Sequence, residues 1–133
     1  MKISATVRNT ASHHDVVVST GNSGQSLSVP LKASGKGSGV NGGEFLMLAL
    51  ATCYCNDLHR ESARLGIAIE SVEVEASAEF AGIGLAASNI TYRARVSSTA
   101  RQEEIDELLR ITDAVAEIHN TVRAGVPVTL ERW

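Results

Sequence analysis

The chain has 133 residues, a formal net charge of -3 and 20 % charged side chains, scattered so that no region selects nucleic acid or an anionic membrane as partner. Its longest apolar run is about half of the ~20 residues that cross a bilayer, which excludes a membrane-spanning helix. Two cysteines separated by one residue do not make a secreted disulfide framework, so free thiols in a reducing compartment are expected.

Met1-Lys2-Ile3 leads straight into an alternating pattern instead of a signal-peptide core, and a cytoplasmic location is expected. Ile3, Ala5 and Val7 alternate with Ser4, Thr6 and Arg8, the period of a half-buried strand. A polar turn over Asn9 to Asp15 precedes a second strand at Val16-Val17-Val18-Ser19. Gly21-Asn22-Ser23-Gly24 signals a hairpin, and Leu27-Ser28-Val29 is predicted as a short third strand that Pro30 places at an edge. The connector Ala33 to Gly39 is rich in glycine and serine but lacks the spacing of a phosphate-binding loop.

A long helix follows. Asn41 and Glu44 are spaced as a capping box, while Arg60, Arg64 and Gly66 suit a helix C-terminus. From Phe45 to Cys55 only Thr52 is polar, so this half of the helix is expected to be buried on all sides. With only 4 % aromatic residues to build a core, cover from a second copy of the chain is expected, hence a homo-oligomer.

After the helix, Val72, Val74, Ala76, Ala78 and Phe80 alternate with polar residues, and Ile90, Tyr92, Ala94 and Val96 do the same. A hairpin over Ala81 to Ser88 would set Glu73 and Glu75 opposite Arg93 and Arg95. Thr99 to Gln102 reads as a second capping box. It opens a helix through Ile105, Leu108, Leu109, Thr112 and Val115 that runs on to Ile118 with a break near Thr112-Asp113. Val126 to Leu130 is predicted as a last strand. The order predicts an α+β protein, a single domain over 1–133, with antiparallel sheet packed on the long helix.

Residues two apart on a helix point about 200° apart, so Cys53 and Cys55 serve different faces. Cys53 shares its face with Asn56 and Asp57; Cys55 shares its own with His59 at i+4. Packing as a small apolar side chain is the ordinary role for either thiol. A second pair of ligands that would complete a zinc site is not visible, and neither metal nor cofactor is expected. Asp57 is expected to pair with Arg60, Arg64 or a dimer mate, and His13 and His14 to lie at the surface.

The segment Gly39-Val40-Asn41-Gly42-Gly43-Glu44-Phe45-Leu46-Met47-Leu48-Ala49-Leu50-Ala51-Thr52-Cys53 resembles the central-helix signature of the OsmC/Ohr family, the osmotically inducible and organic hydroperoxide resistance proteins. Spacing from Asn41 to Cys53 matches, and Val122 to Leu130 is similar to the family's ending. The resemblance implies an intertwined homodimer in which sheet from both chains covers each central helix. It also implies a peroxiredoxin-like thiol chemistry in oxidative stress defence, with Cys53 on the peroxidatic position. Where the family has proline and glutamate this chain has Gly42-Gly43, with Glu44 one residue late. The family's resolving cysteine falls on Ala116 or His119, and its early arginine falls near His14, with Arg8 as the alternative.

The resemblance therefore implies hydroperoxide reduction at Cys53, resolved by an external thiol reductant or by Cys55 of either chain. His119 is the candidate proton acceptor or anchor for Cys53, beside its plainer reading as a partner of a helix C-terminus. Glu44, His14 and Asn120 are candidate substrate-binding residues. Two alternatives stand: a non-catalytic relative that binds a small apolar ligand in the dimer cleft, and a Cys-His hydrolase or transferase using Cys53 or Cys55 with His119 or His59.

Overall fold

The computed structural model describes residues 1–133, which form two compact units, Met1–Phe45 and Leu46–Trp133. In the first unit β1 (Ile3–Asn9), β2 (His14–Thr20) and β3 (Ser23–Leu27) make an antiparallel sheet in that order. Gly21 takes φ 57°, the positive value a two-residue hairpin turn needs. Because that turn is so short, pairing resumes at once with Ser23 opposite Thr20 and ends with Leu27 opposite Val16. The third strand therefore precedes Leu27 instead of following it, a correction to the expected Leu27–Val29.

The long helix α1 (Gly42–Leu65) starts as its sequence predicts. Asn41 Oδ1 accepts from the Glu44 backbone N–H at 2.9 Å, and Glu44 Oε2 accepts from the Asn41 N–H at 2.7 Å. Glu44, a candidate for substrate binding, thus has its carboxylate on the helix cap. At the other end Gly66 adopts φ 69°, and Ile67 N–H reaches the Ser62 carbonyl at 2.9 Å, closing the helix in a Schellman motif.

Within one chain α1 is buried along a single stripe, Leu50, Tyr54, Asp57, Leu58, Glu61 and Ser62, at three- and four-residue spacing. Leu48 on the same helix is 57 % exposed. A single chain fully buries one face, and the rest of the apolar surface is half-buried or exposed, so the expected burial on all sides would need the second copy.

The second unit contains the antiparallel pair β4 (Ser71–Glu79) and β5 (Ser88–Ser97). Their register sets Glu73 opposite Arg95 and Glu75 opposite Arg93, as the charge pattern predicts, with ion pairs of 3.3 and 2.8 Å. Both pairs are solvent-exposed and serve register more than stability. The alternate face, with Val72, Val74, Ala94 and Val96, packs on a core of Tyr54, Leu58, Leu108 and Ala116.

Leu108 lies on α2 (Gln102–Val115), whose first turn is closed by Arg101 N–H donating to Glu104 Oε2 at 3.0 Å. The cap therefore sits two residues beyond the expected Thr99–Gln102 box. The helix ends at Val115, not near Thr112, because Ala116 is extended and Asn120 Nδ2 donates to the Ala114 carbonyl at 3.1 Å. A separate helix α3 (Glu117–Ala124) begins there. Asn120, a candidate for substrate binding, thus satisfies the end of α2.

Residues 125–133 form no strand, correcting the expected strand over Val126–Leu130. A strand needs a partner to pair with, and this tail pairs with no strand of its own chain. Val128 and Leu130 are each 99 % exposed.

Candidate thiol site at Cys53

One turn of α1 and the start of α3 bring three reactive or titratable groups together. Cys53 is half-buried beside the core. Its thiol donates to Asp57 Oδ2 at 3.5 Å, the i+4 neighbour on the same face, and lies 4.0 Å from Glu117 Oε2. The Ile118 backbone N–H, in the first turn of α3, lies on the sulfur's side and favours the thiolate. Burial first, then the charges of Asp57 and Glu117, push the Cys53 thiol above its ordinary value; the Ile118 N–H pulls the other way.

The arginines of α1 divide between Asp57 and Glu61, and no arginine is hydrogen-bonded to Glu117. Arg60 Nη1 holds Asp57 Oδ1 at 2.6 Å, as expected for Asp57, and Arg60 Nε meets Glu61 Oε1 at 3.1 Å. Arg64 Nη2 closes on Glu61 Oε2 at 2.7 Å. Hydrogen bonds from Arg64 and then Arg60 hold the Glu61 carboxyl below the usual range. Cys53 Sγ and one carboxylate oxygen each of Asp57 and Glu117 lie within 4.8 Å of one another, a mixed sulfur and oxygen set of a type that divalent cations accept. Arg60 already holds the second oxygen of Asp57.

His119 belongs to a different cluster. Its ring packs on Tyr92, centroids 4.3 Å apart, and on Tyr54 at 5.7 Å, with the two tyrosines edge to face at 4.8 Å. Tyr54 donates to the Leu109 carbonyl at 2.7 Å, and Tyr92 donates to Asp113 Oδ1, which also accepts from Arg123 Nη2 at 2.6 Å. Arg123 first and Tyr92 second hold Asp113 below the usual carboxylate range, while burial and the Asp113 charge push the Tyr92 phenol up to about 12. His119 is only 4 % exposed, and neither ring nitrogen has a hydrogen-bond partner. It therefore makes no hydrogen bond to Cys53. Burial, then the nearby Arg123 charge, hold its pKa below the ordinary value against the opposing pull of Asp113 and Asp57.

That depressed value has a consequence for stability. Unfolded His119 takes up a proton near pH 6.5, whereas the folded ring resists it, so stability falls as pH drops through about 6.5 toward the lower folded value. His119→Phe is expected to flatten this part of the urea-midpoint profile between about pH 7 and 5 relative to the parent. Parallel profiles would show that His119 does not carry it.

The remaining candidates are placed apart. Cys55 is half-buried, and His59 beside it is exposed. His14 lies in β2, with Nδ1 3.0 Å from Asn9 Nδ2. Sequence spacing pointed to Asp57 beside Cys53. The approach of Glu117 to the sulfur is not legible in the spacing, because the periodicity places the helix break near Thr112-Asp113, one turn before α3 begins.

The OsmC-like protein family profile matches residues 35–131, which include all of α1 and Cys53. The chain belongs to the OsmC-like family. No curated protein sequence matches this OsmC-like chain at a significant level. Its fold is that of an OsmC-like protein from Mycoplasma pneumoniae, with TM-score 0.63 at 18 % identity, covering 92 % of this chain and 86 % of that one. An organic hydroperoxide resistance protein OsmC from Legionella pneumophila gives TM-score 0.61 at 17 % identity, covering 92 % and 90 %. An organic hydroperoxide resistance protein from Elizabethkingia anophelis gives 0.62 at 17 %, covering 92 % and 89 %. Identities this low carry the fold: antiparallel sheets with three helices. No helix of the chain is long and apolar enough to cross a membrane.

Proposed function

We propose that this OsmC-like chain is a thiol-dependent reductase of small organic hydroperoxides in which Cys53 is the reacting group. The observation that carries the reading is the Cys53 thiol itself, half-exposed, 3.5 Å from a carboxylate that can take its proton and within reach of the Ile118 N–H. Two of the structural neighbours are organic hydroperoxide resistance proteins, which agrees with this chemistry.

In the proposed cycle Asp57 accepts the thiol proton and the thiolate attacks the terminal oxygen of R–O–O–H. The O–O bond breaks, the alkoxide leaves as ROH with that proton, and Cys53 becomes a sulfenic acid. An external thiol then condenses with the sulfenic acid, releasing water and leaving a mixed disulfide. A second external thiol restores Cys53 and leaves with the first as a disulfide. Cys55 begins about 200° around the helix, so an outside thiol supports turnover better than resolution within one chain. Because Cys53 is held protonated, turnover at neutral pH is slow.

The assembly we propose is an intertwined homodimer in the cytoplasm, with residues 1–133 as one OsmC-like domain of each subunit. Its support is the apolar surface left open by a single chain, at Leu48 on α1 and at Val128 and Leu130 in the unpaired tail. A second reading, a non-catalytic relative, is favoured by the two carboxylates beside the thiol and by the lack of any basic side chain hydrogen-bonded to the sulfur. A Cys-His hydrolase or transferase draws no support, since neither cysteine is hydrogen-bonded to His59 or His119.

Incubation with cumene hydroperoxide and a sulfenic-acid trap, read by peptide mass spectrometry, is expected to label Cys53. Label confined to Cys55, or none on either cysteine, would contradict the proposed chemistry.

A further inference from the structure

The Cys53 sulfur has one carboxylate on its inner side and another on its outer side. Asp57, with Oδ2 at 3.5 Å, is 4 % exposed and belongs to the buried stripe of α1. Glu117, with Oε2 at 4.0 Å, is exposed, so it borders the solvent side from which a reagent reaches the half-buried thiol.

The inner carboxylate is answered and the outer one is not. Arg60 Nη1 holds Asp57 Oδ1 at 2.6 Å, and Glu61 takes up Arg60 Nε and Arg64 Nη2. Those guanidinium groups thus meet Asp57 and Glu61, while Glu117 enters none of the chain's ion pairs. Its plainer role is to answer the dipole of α3, whose first turn it opens. A helix N-terminus carries about half a unit of positive charge, less than the full negative unit of a carboxylate. The mouth of the thiol site therefore keeps a surplus of negative charge.

We propose that Glu117 makes Cys53 select against electrophiles that carry negative charge, so that the hydroperoxides it reduces have no anionic group within about 8 Å of the peroxide, the screening length at physiological salt. The identity of the substrate rests on the reductase reading; the charge selection does not, because any electrophile approaching the sulfur meets it. In water a unit charge about 7 Å from Glu117 gains or loses about threefold in local concentration. A cation and an anion of one shape therefore differ by about three- to tenfold once the N-terminus of α3 offsets part of the field.

The test uses the full chain in a Cys55→Ser background and a pair of methanethiosulfonates of like size, one ending in trimethylammonium and the other in sulfonate. Each reacts by thiolate attack on its thiosulfonate sulfur, which forms a disulfide with Cys53 and releases methanesulfinate. The ratio of the two rates in one protein cancels the thiolate fraction, so any effect of Glu117 on the acidity of the thiol drops out. Divided by the same ratio for 2-mercaptoethanol, it is expected to favour the cation about three- to tenfold in dilute buffer and to fall toward one in concentrated salt. Glu117→Gln is expected to bring the ratio near one, and Glu117→Lys to reverse it.

Among hydroperoxides, methyl 4-hydroperoxy-4-methylpentanoate is expected to oxidise Cys53 about threefold faster than the corresponding carboxylate. A parent ratio near one, a ratio that Glu117→Lys leaves unchanged, or equal oxidation by ester and carboxylate overturns the proposal. If neither hydroperoxide oxidises Cys53 while the thiosulfonate ratio holds, the reductase reading fails and the charge selection stands. The parent's ratio and its salt dependence decide the matter even where a variant folds poorly.

Discussion

Replacing Cys53 with serine is expected to lower consumption of cumene hydroperoxide, with dithiothreitol as reductant, by at least about a hundredfold, while Cys55→Ser retains roughly half or more. The asymmetry follows from the surroundings of the two thiols. Cys53 has the Asp57 carboxylate at 3.5 Å to take its proton and the Ile118 N–H at the sulfur; no hydrogen-bond partner is found at Cys55. A serine hydroxyl cannot substitute, because the step requires transfer of an oxygen atom to sulfur. Consumption by Cys53→Ser equal to that of the parent would remove Cys53 from the chemistry. Loss in Cys55→Ser alone would move the chemistry to the other face of α1.

Leu108→Ala is expected to destabilise the fold by about 2–5 kcal/mol, read from urea unfolding at pH 7. Leu108 is 0 % exposed and lies in one cluster with Leu58, Tyr54 and Ala116, against the inner face of β4 and β5. Truncation there loses both the transfer energy of the side chain and the contacts around the space it leaves. The walls of that space cannot collapse freely, since Tyr54 is tied to the Leu109 carbonyl and Thr112 Oγ1 donates to the Leu108 carbonyl itself. Leu85→Ala, at a 60 % exposed position in the hairpin loop, is the control and is expected to change stability by less than about 0.5 kcal/mol. A Leu108→Ala effect as small as the control would mean that the core is centred elsewhere.

Much of the fold was legible because period and caps are local signals. The Asn41–Glu44 box, the Gly66 stop and the facing charges of Glu73, Glu75, Arg93 and Arg95 each appear where their spacing puts them. What escaped the sequence depends on partners distant in the chain or outside it. Val126 to Leu130 has the composition of a strand but pairs with no strand of its own chain, and Leu48 belongs to an apolar helix that one chain covers on only one side. At the candidate site, the i+4 spacing of Cys53 and Asp57 was readable from helix geometry. The approach of Glu117 was not, since it follows from a helix break at Ala116 that Asn120 supports. His119 was legible as a special residue but not in its surroundings: it lies against two tyrosines and a cavity, not in a hydrogen bond to the thiol.

The central claim is that Cys53 reacts as a thiol held protonated by burial and by two carboxylates. The measurement that tests it most directly is the rate of Cys53 sulfenic-acid formation from cumene hydroperoxide between pH 6 and 10, in a Cys55→Ser background. The rate is expected to climb with pH through a midpoint above the ordinary thiol range of about 8.5. Glu117→Gln, which removes one exposed carboxylate from the sulfur's surroundings, is expected to lower that midpoint and raise the rate at pH 7 about three- to tenfold. A rate already at its plateau by pH 7, unmoved by Glu117→Gln, would contradict it.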